Sequence, residues 1–182
     1  MQALVILHPG FEEIEAVTPV DLLARAGISI VTAAVGPNLC VEGRSGISIR
    51  AETTLDDASK KDFDVVILPG GPGISKLRNH PLICELFKRQ NSANRWIACI
   101  CAAPLLLHDA GLILPDLHYT CHPSAEKELP GKAEDLTTVS AHRMLTSQGA
   151  GTSIDFALAI IAELCGDSVA NTVAASICYK TS

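Results

Sequence analysis

Short, continuously apolar runs alternate with longer segments of helical spacing along the whole chain, the pattern of a doubly wound sheet whose strands are joined by crossover helices. Leu4–Leu7, Ile28–Val35, Val65–Leu68 and Trp96–Ile100 predict buried strands, with Tyr119–Cys121 and Leu145–Ser147 as shorter ones and Gly46–Arg50 as one arm of a hairpin. Glu12–Ala26 predicts a helix with Ile14, Val17, Leu22 and Ala26 available for one face, closing at Gly27 and bent or delayed by Pro19. Pro81–Arg89, Ala102–Ala110, Ile154–Cys165 and Val169–Cys178 predict further helices. No repeat, low-complexity tract or linker interrupts the pattern, so residues 1–182 read as one α/β domain.

Composition sharpens this reading. Hydrophobic residues make up 48% and charged residues 19%, enough for a core and unlike a disordered chain. Only 4% of residues are aromatic, a usage that suits a parallel sheet covered on both faces. A net charge of −6 disfavours a phosphate backbone as primary partner. The longest mainly apolar stretch, Ile154–Cys165, is broken by Asp155 and Glu163 and falls short of the roughly 20 residues a spanning helix needs, so no membrane partner is expected. Met1–Leu7 reads as a strand and not as a secretion signal, which places the chain in the cytoplasm. Seven cysteines, an odd number, point in such a setting to reduced thiols, most of them small core hydrophobes.

Cys101 stands apart. It falls where a buried strand gives way to a helix, in Ala98-Cys99-Ile100-Cys101-Ala102-Ala103-Pro104, with small residues behind it. That arrangement follows the logic of a nucleophile elbow, and a helix start favours the thiolate. Gly70 and Gly71 follow another strand, so their amides and that of Ala102 could converge on the oxygen of a bound carbonyl; a plain turn explains the glycines equally well. His122 follows the Tyr119–Cys121 segment and could serve as a proton shuttle in the same crevice. His8, His80, His108, His118 and His142 are assigned structural roles. Glu12, Glu13 and Glu15 open the first helix, where carboxylates usually serve as capping groups. With Ile14 on the core side, one of them could still turn into the crevice. Beside a thiolate it would have to be protonated. Cys99-x-Cys101 with Cys121-His122 lacks the spacing of a zinc knuckle, so no metal is assigned.

Together these segments resemble the ThiJ/PfpI family, most closely its Parkinsonism-associated deglycase and YajL-like branch. The resemblance rests on Gly10-Phe11-Glu12-Glu13-Ile14-Glu15, Leu68-Pro69-Gly70-Gly71, the Cys101 segment, His122-Pro123 and Leu145-Thr146-Ser147-Gln148-Gly149-Ala150-Gly151-Thr152-Ser153. It implies a flavodoxin-like three-layer sandwich, a mostly parallel sheet with helices on both faces, and a homodimer. It makes Cys101 an easily oxidised nucleophile, Glu15 the protonated acid touching its sulfur and His122 the third member, with the Gly71 and Ala102 amides lining the pocket. The implied activity is glutathione-independent glyoxalase or protein deglycase chemistry on reactive dicarbonyls and their early adducts on protein, linked to oxidative-stress protection, without metal or organic cofactor. The alternative is a redox-sensing chaperone regulated by oxidation of Cys101. Pro72 and Ala150 depart from the family pattern. Pro123 and Ser124 after His122 disfavour amidotransfer, and the residue after Cys101 is not the histidine of a PfpI-type peptidase.

Overall fold

The computed structural model describes residues 1–114, 116–131 and 133–180. Seven strands, β1 (Gln2–Leu7), β2 (Ser29–Ala34), β5 (Thr53–Thr54), β6 (Val65–Leu68), β7 (Trp96–Ile100), β8 (Thr138–Ala141) and β9 (Met144–Ser147), form one sheet in the order β5-β2-β1-β6-β7-β9-β8. All its pairings are parallel except β8 with β9. β3 (Cys40–Glu42) and β4 (Ser48–Arg50) make a separate antiparallel hairpin, of which Gly46–Arg50 was the expected arm. The long helices are α1 (Glu13–Arg25), α3 (Pro81–Ser92), α6 (Ser153–Cys165) and α7 (Asp167–Ser176), and the short ones α2 (Leu55–Ala58), α4 (Pro104–Asp109) and α5 (Pro123–Glu126).

The strand period of two sends alternate residues of β7 to opposite layers. Ile97 and Cys99 join Leu86, Phe87, Leu106 and Leu107 under α3 and α4. Trp96, Ala98 and Ile100 join Leu22, Leu23, Phe156 and Ile160 under α1 and α6. Each residue of β6 and β7 is buried, which is why these strands read as unbroken apolar runs. The result is the expected α/β flavodoxin-like sandwich. No helix among the described residues is long and apolar enough to cross a membrane.

Three local expectations are corrected. Ile14 does not face the core: it is 53% exposed and Val17 48%, because the turn after β1 sets the helix phase so that Glu15, Ala16, Pro19, Leu22 and Leu23 point inward. Tyr119–Cys121 is not a strand. The order of the sheet leaves no free edge beside β7 or β9, so Thr120 bonds to side-chain and loop groups, its amide donating to Thr146 Oγ1 at 2.9 Å. Finally, the helix expected from Ala102 starts at Pro104, and Cys101–Ala103 form a turn.

β1 is the point where chain order reverses, with β2 on one side and β6 on the other. Crevices at the carboxyl ends of strands around such a point are where ligands sit in open α/β sheets. Phe156, fully buried at the centre of the α6 layer, tests the packing. Phe156→Ala is expected to cost about 3–5 kcal/mol in urea unfolding.

Candidate active site

Three loops meet above the reversal point. The first follows β1 and brings Glu15 on the opening turns of α1; the second follows β6 and carries Gly70 and Gly71; the third follows β7 and carries Cys101. Cys101 adopts φ 65°, a left-handed conformation uncommon for a side-chain-bearing residue and the signature of a strained elbow. Its backbone is pinned on both sides: its amide donates to the Ser147 carbonyl and its carbonyl accepts from the His122 amide, each at 2.9 Å. The sulfur is thereby fixed in place.

Only glycine fits at position 70. A Cβ there would lie 2.6 Å from the Cβ of Cys101 and 2.9 Å from a carboxyl oxygen of Glu15. The Gly70 amide donates to Glu15 Oε2 at 2.7 Å. This corrects its expected place in an anion hole, since its N–H is already committed to the acid. The Gly71 and Ala102 amides are the ones directed at the sulfur. The helix-start effect is smaller than expected, because α4 has only six residues and begins three positions beyond Cys101.

Glu15 is fully buried with its carboxyl beside the Cys101 thiol. Burial pushes its carboxyl up to about 7, and the Gly70 amide offsets only part of that. Burial also pushes the Cys101 thiol up to about 12, an ionised Glu15 acts in the same direction, and the Gly71 and Ala102 amides pull back. The thiol is therefore not simply lowered, as the elbow suggested: desolvation outweighs the amides. Groups in contact titrate as a pair. At neutral pH this pair carries at most one negative charge; burial favours placing it on Glu15, and an anionic sulfur requires the proton to sit on Glu15.

His122 lies on the wall of the same cavity, but its Nδ1 accepts the Ser124 amide at 3.2 Å and caps α5. With Nδ1 so engaged, Nε2 is the ring nitrogen left without a protein partner among the described residues. Gly149 packs beside it: a Cβ there would be 3.5 Å from the His122 ring. The cavity of about 570 Å³ runs from Cys101 past Ile74, Leu105 and Ala125. Two arginines that the sequence reading missed stand on its walls. Arg44, from the β3–β4 hairpin, donates to Glu12 at 2.8 Å; Arg78 is held by both oxygens of Asp109 at 2.8 Å and by Glu128. Glu12 and Glu13 thus serve other contacts, Glu13 accepting from the Ser45 amide at 2.7 Å. Neither arginine belongs to a periodic pattern, so only the fold could reveal them. All seven cysteines are free.

The DJ-1/PfpI family model matches residues 1–163, and the chain belongs to that family. Among its relatives, the Parkinson disease protein 7 homolog of Danio rerio is 38% identical over 98% of this chain and 97% of its own length. The glutathione-independent glyoxalase DJR-1.2 of Caenorhabditis elegans is 35% identical over 97% of this chain and 95% of its own. The structure of oxidized Toxoplasma gondii DJ-1 superposes with a TM-score of 0.94 at 28% identity, covering 99% of both chains.

The raised Glu15 carboxyl has a signed consequence for stability. Below about pH 4.5, its ordinary value, the acid is protonated whether the chain is folded or not. Between there and about 7 the unfolded chain ionises first, so stability is lost as pH rises. Glu15→Gln is therefore expected to exceed the wild type by about 2–3 kcal/mol in denaturant melts at pH 8, with the gap closing below pH 4.5.

Proposed function

We propose that this protein is a cofactor-independent glyoxalase, with the related ability to release early dicarbonyl adducts from protein. The observation that carries the reading is Cys101 on the wall of an open cavity, with the buried Glu15 carboxyl behind it and two backbone amides aimed at the sulfur. A family relative named as a glutathione-independent glyoxalase supports it.

The Cys101 thiolate adds to the aldehyde carbon of a 2-oxoaldehyde, and Glu15 gives its proton to the developing oxyanion near the Gly71 and Ala102 amides. A hemithioacetal results. The Glu15 carboxylate then takes the proton from the same carbon and returns it to the neighbouring carbon, while the hydroxyl proton of the first oxygen passes to the second, beside His122 Nε2–H. The product of this internal rearrangement is a thioester of the 2-hydroxyacid. Water cleaves it, releasing the hydroxyacid and restoring the thiol, so the sum is one dicarbonyl plus one water. A cavity of about 570 Å³ exceeds what a three-carbon dicarbonyl fills, leaving room for a side chain that carries an adduct.

Lactate formation from methylglyoxal tests this. Wild-type protein is expected to turn over, with Cys101→Ser and Glu15→Gln each reduced about 100-fold or more. Wild-type turnover no higher than a protein blank would sink the reading.

A homodimer belongs to the same proposal. Ile14 and Val17 sit one turn apart on the outer face of α1, and Ile47 is exposed on the hairpin that meets α1 where the Ser45 amide reaches Glu13. Exposed apolar side chains so placed suit a second copy of the chain. Val17→Asp is expected to convert a dimer to a monomer in sedimentation velocity.

A further inference from the structure

His8 sits directly after β1 and is fully buried, although nothing in the proposed reaction uses it. Its ring lies between two backbone carbonyls. Nε2 is 3.2 Å from the Pro69 carbonyl, in the loop after β6, and Nδ1 is 3.3 Å from the carbonyl of Pro9, its own neighbour. Burial pushes the imidazole below its ordinary value, against the pull of the Pro69, Pro9 and Gly70 carbonyls, so the ring is neutral. A neutral imidazole has a single N–H and serves only one of the two carbonyls.

The loops that His8 joins are the two that build the site. The Glu12 amide donates to the Gly70 carbonyl at 3.0 Å and the Gly73 amide to the Gly10 carbonyl at 3.2 Å. Contact is so close that a Cβ on Gly73 would come within 2.0 Å of the Pro9 oxygen and 2.6 Å of His8 Nδ1. Beyond these backbone bonds and the Glu15 carboxyl itself, His8 is a side chain that ties the loop leading to Glu15 to the loop carrying the Gly70 and Gly71 amides. An error of a few tenths of an ångström between the loops would misalign both Gly70 N–H with Glu15 and Gly71 N–H with sulfur.

We infer that His8 is a positioning residue for the reactive thiol: as the Nε2–H tautomer it donates to the Pro69 carbonyl and holds the glycine loop in register with Glu15 and Cys101. This rests on Cys101 being the reacting group and not on which carbonyl compound it meets. The other groups facing Cys101, namely Glu15, His122 and the Glu12–Arg44 pair, make no hydrogen bond to the His8 ring, which bonds to the Pro69 and Pro9 carbonyls.

The test is the pH profile of Cys101 alkylation by iodoacetamide, followed peptide by peptide to separate the seven thiols, alongside urea unfolding. Gln places its amide N–H where Nε2 lies, Asn where Nδ1 lies, and Leu fills the space with no donor. His8→Leu and His8→Asn are expected to raise the apparent midpoint of Cys101 by about one unit and slow alkylation at pH 7 about ten-fold, while His8→Gln stays near the wild type. Leu4→Ala, a cavity elsewhere on β1, is expected to lower the unfolding midpoint and leave the Cys101 profile in place. The inference is overturned if the Leu and Asn variants keep the wild-type profile, or if the Gln variant folds and shifts as far as they do. Nitrogen-15 shifts of the wild-type ring give a second reading that needs no variant: Nε2–H supports the inference and Nδ1–H overturns it. Absence of methylglyoxal turnover would end the glyoxalase reading and leave this measurement standing.

Discussion

A carboxyl and a thiol share a space too dry for two negative charges, and the rest of the site is arranged around that restriction. Neither group is cheap to ionise there, because burial removes the water that would solvate either anion. Competition for one proton couples the cysteine to the acid. Gly70 supports the acid, Gly71 and Ala102 support the sulfur, and the balance between these amides sets where the charge resides.

Holding that balance requires accuracy from the backbone. Cys101 is kept in a left-handed conformation by bonds to Ser147 and His122, which come from β9 and the segment before α5. Gly70 lets the two side chains meet at a distance no larger residue permits. Gly70, Cys101 and Ser147 lie at the end of a strand or just beyond it, and His122 reaches Cys101 from a segment outside the sheet. The sheet is the rigid body, and the loops inherit its precision at the one place where neighbouring crossovers diverge.

Much of this was legible in the sequence, for a physical reason. Strands buried on both faces, such as β6 and β7, leave unbroken apolar runs, and the elbow at Cys101 follows one of them directly. Helix phase was less legible. Ile14 looked like a core residue because an apolar side chain usually is, yet the turn after β1 rotates it outward and draws the charged Glu15 in. Tyr119–Cys121 has strand-like composition, but every edge it could join is taken, which no local pattern reveals. Arg44 and Arg78 reach the cavity only through tertiary packing, and the commitment of the Gly70 amide to Glu15 depends on a contact spanning 55 positions in the chain.

The margins of the sheet carry a separate consequence. One outermost strand, β5, is two residues long, and the other, β8, runs antiparallel and is interrupted by polar side chains at Thr138 and Ser140. Such borders offer little template for an extended segment of another molecule. The architecture thereby disfavours open-ended strand addition, which propagates into fibres.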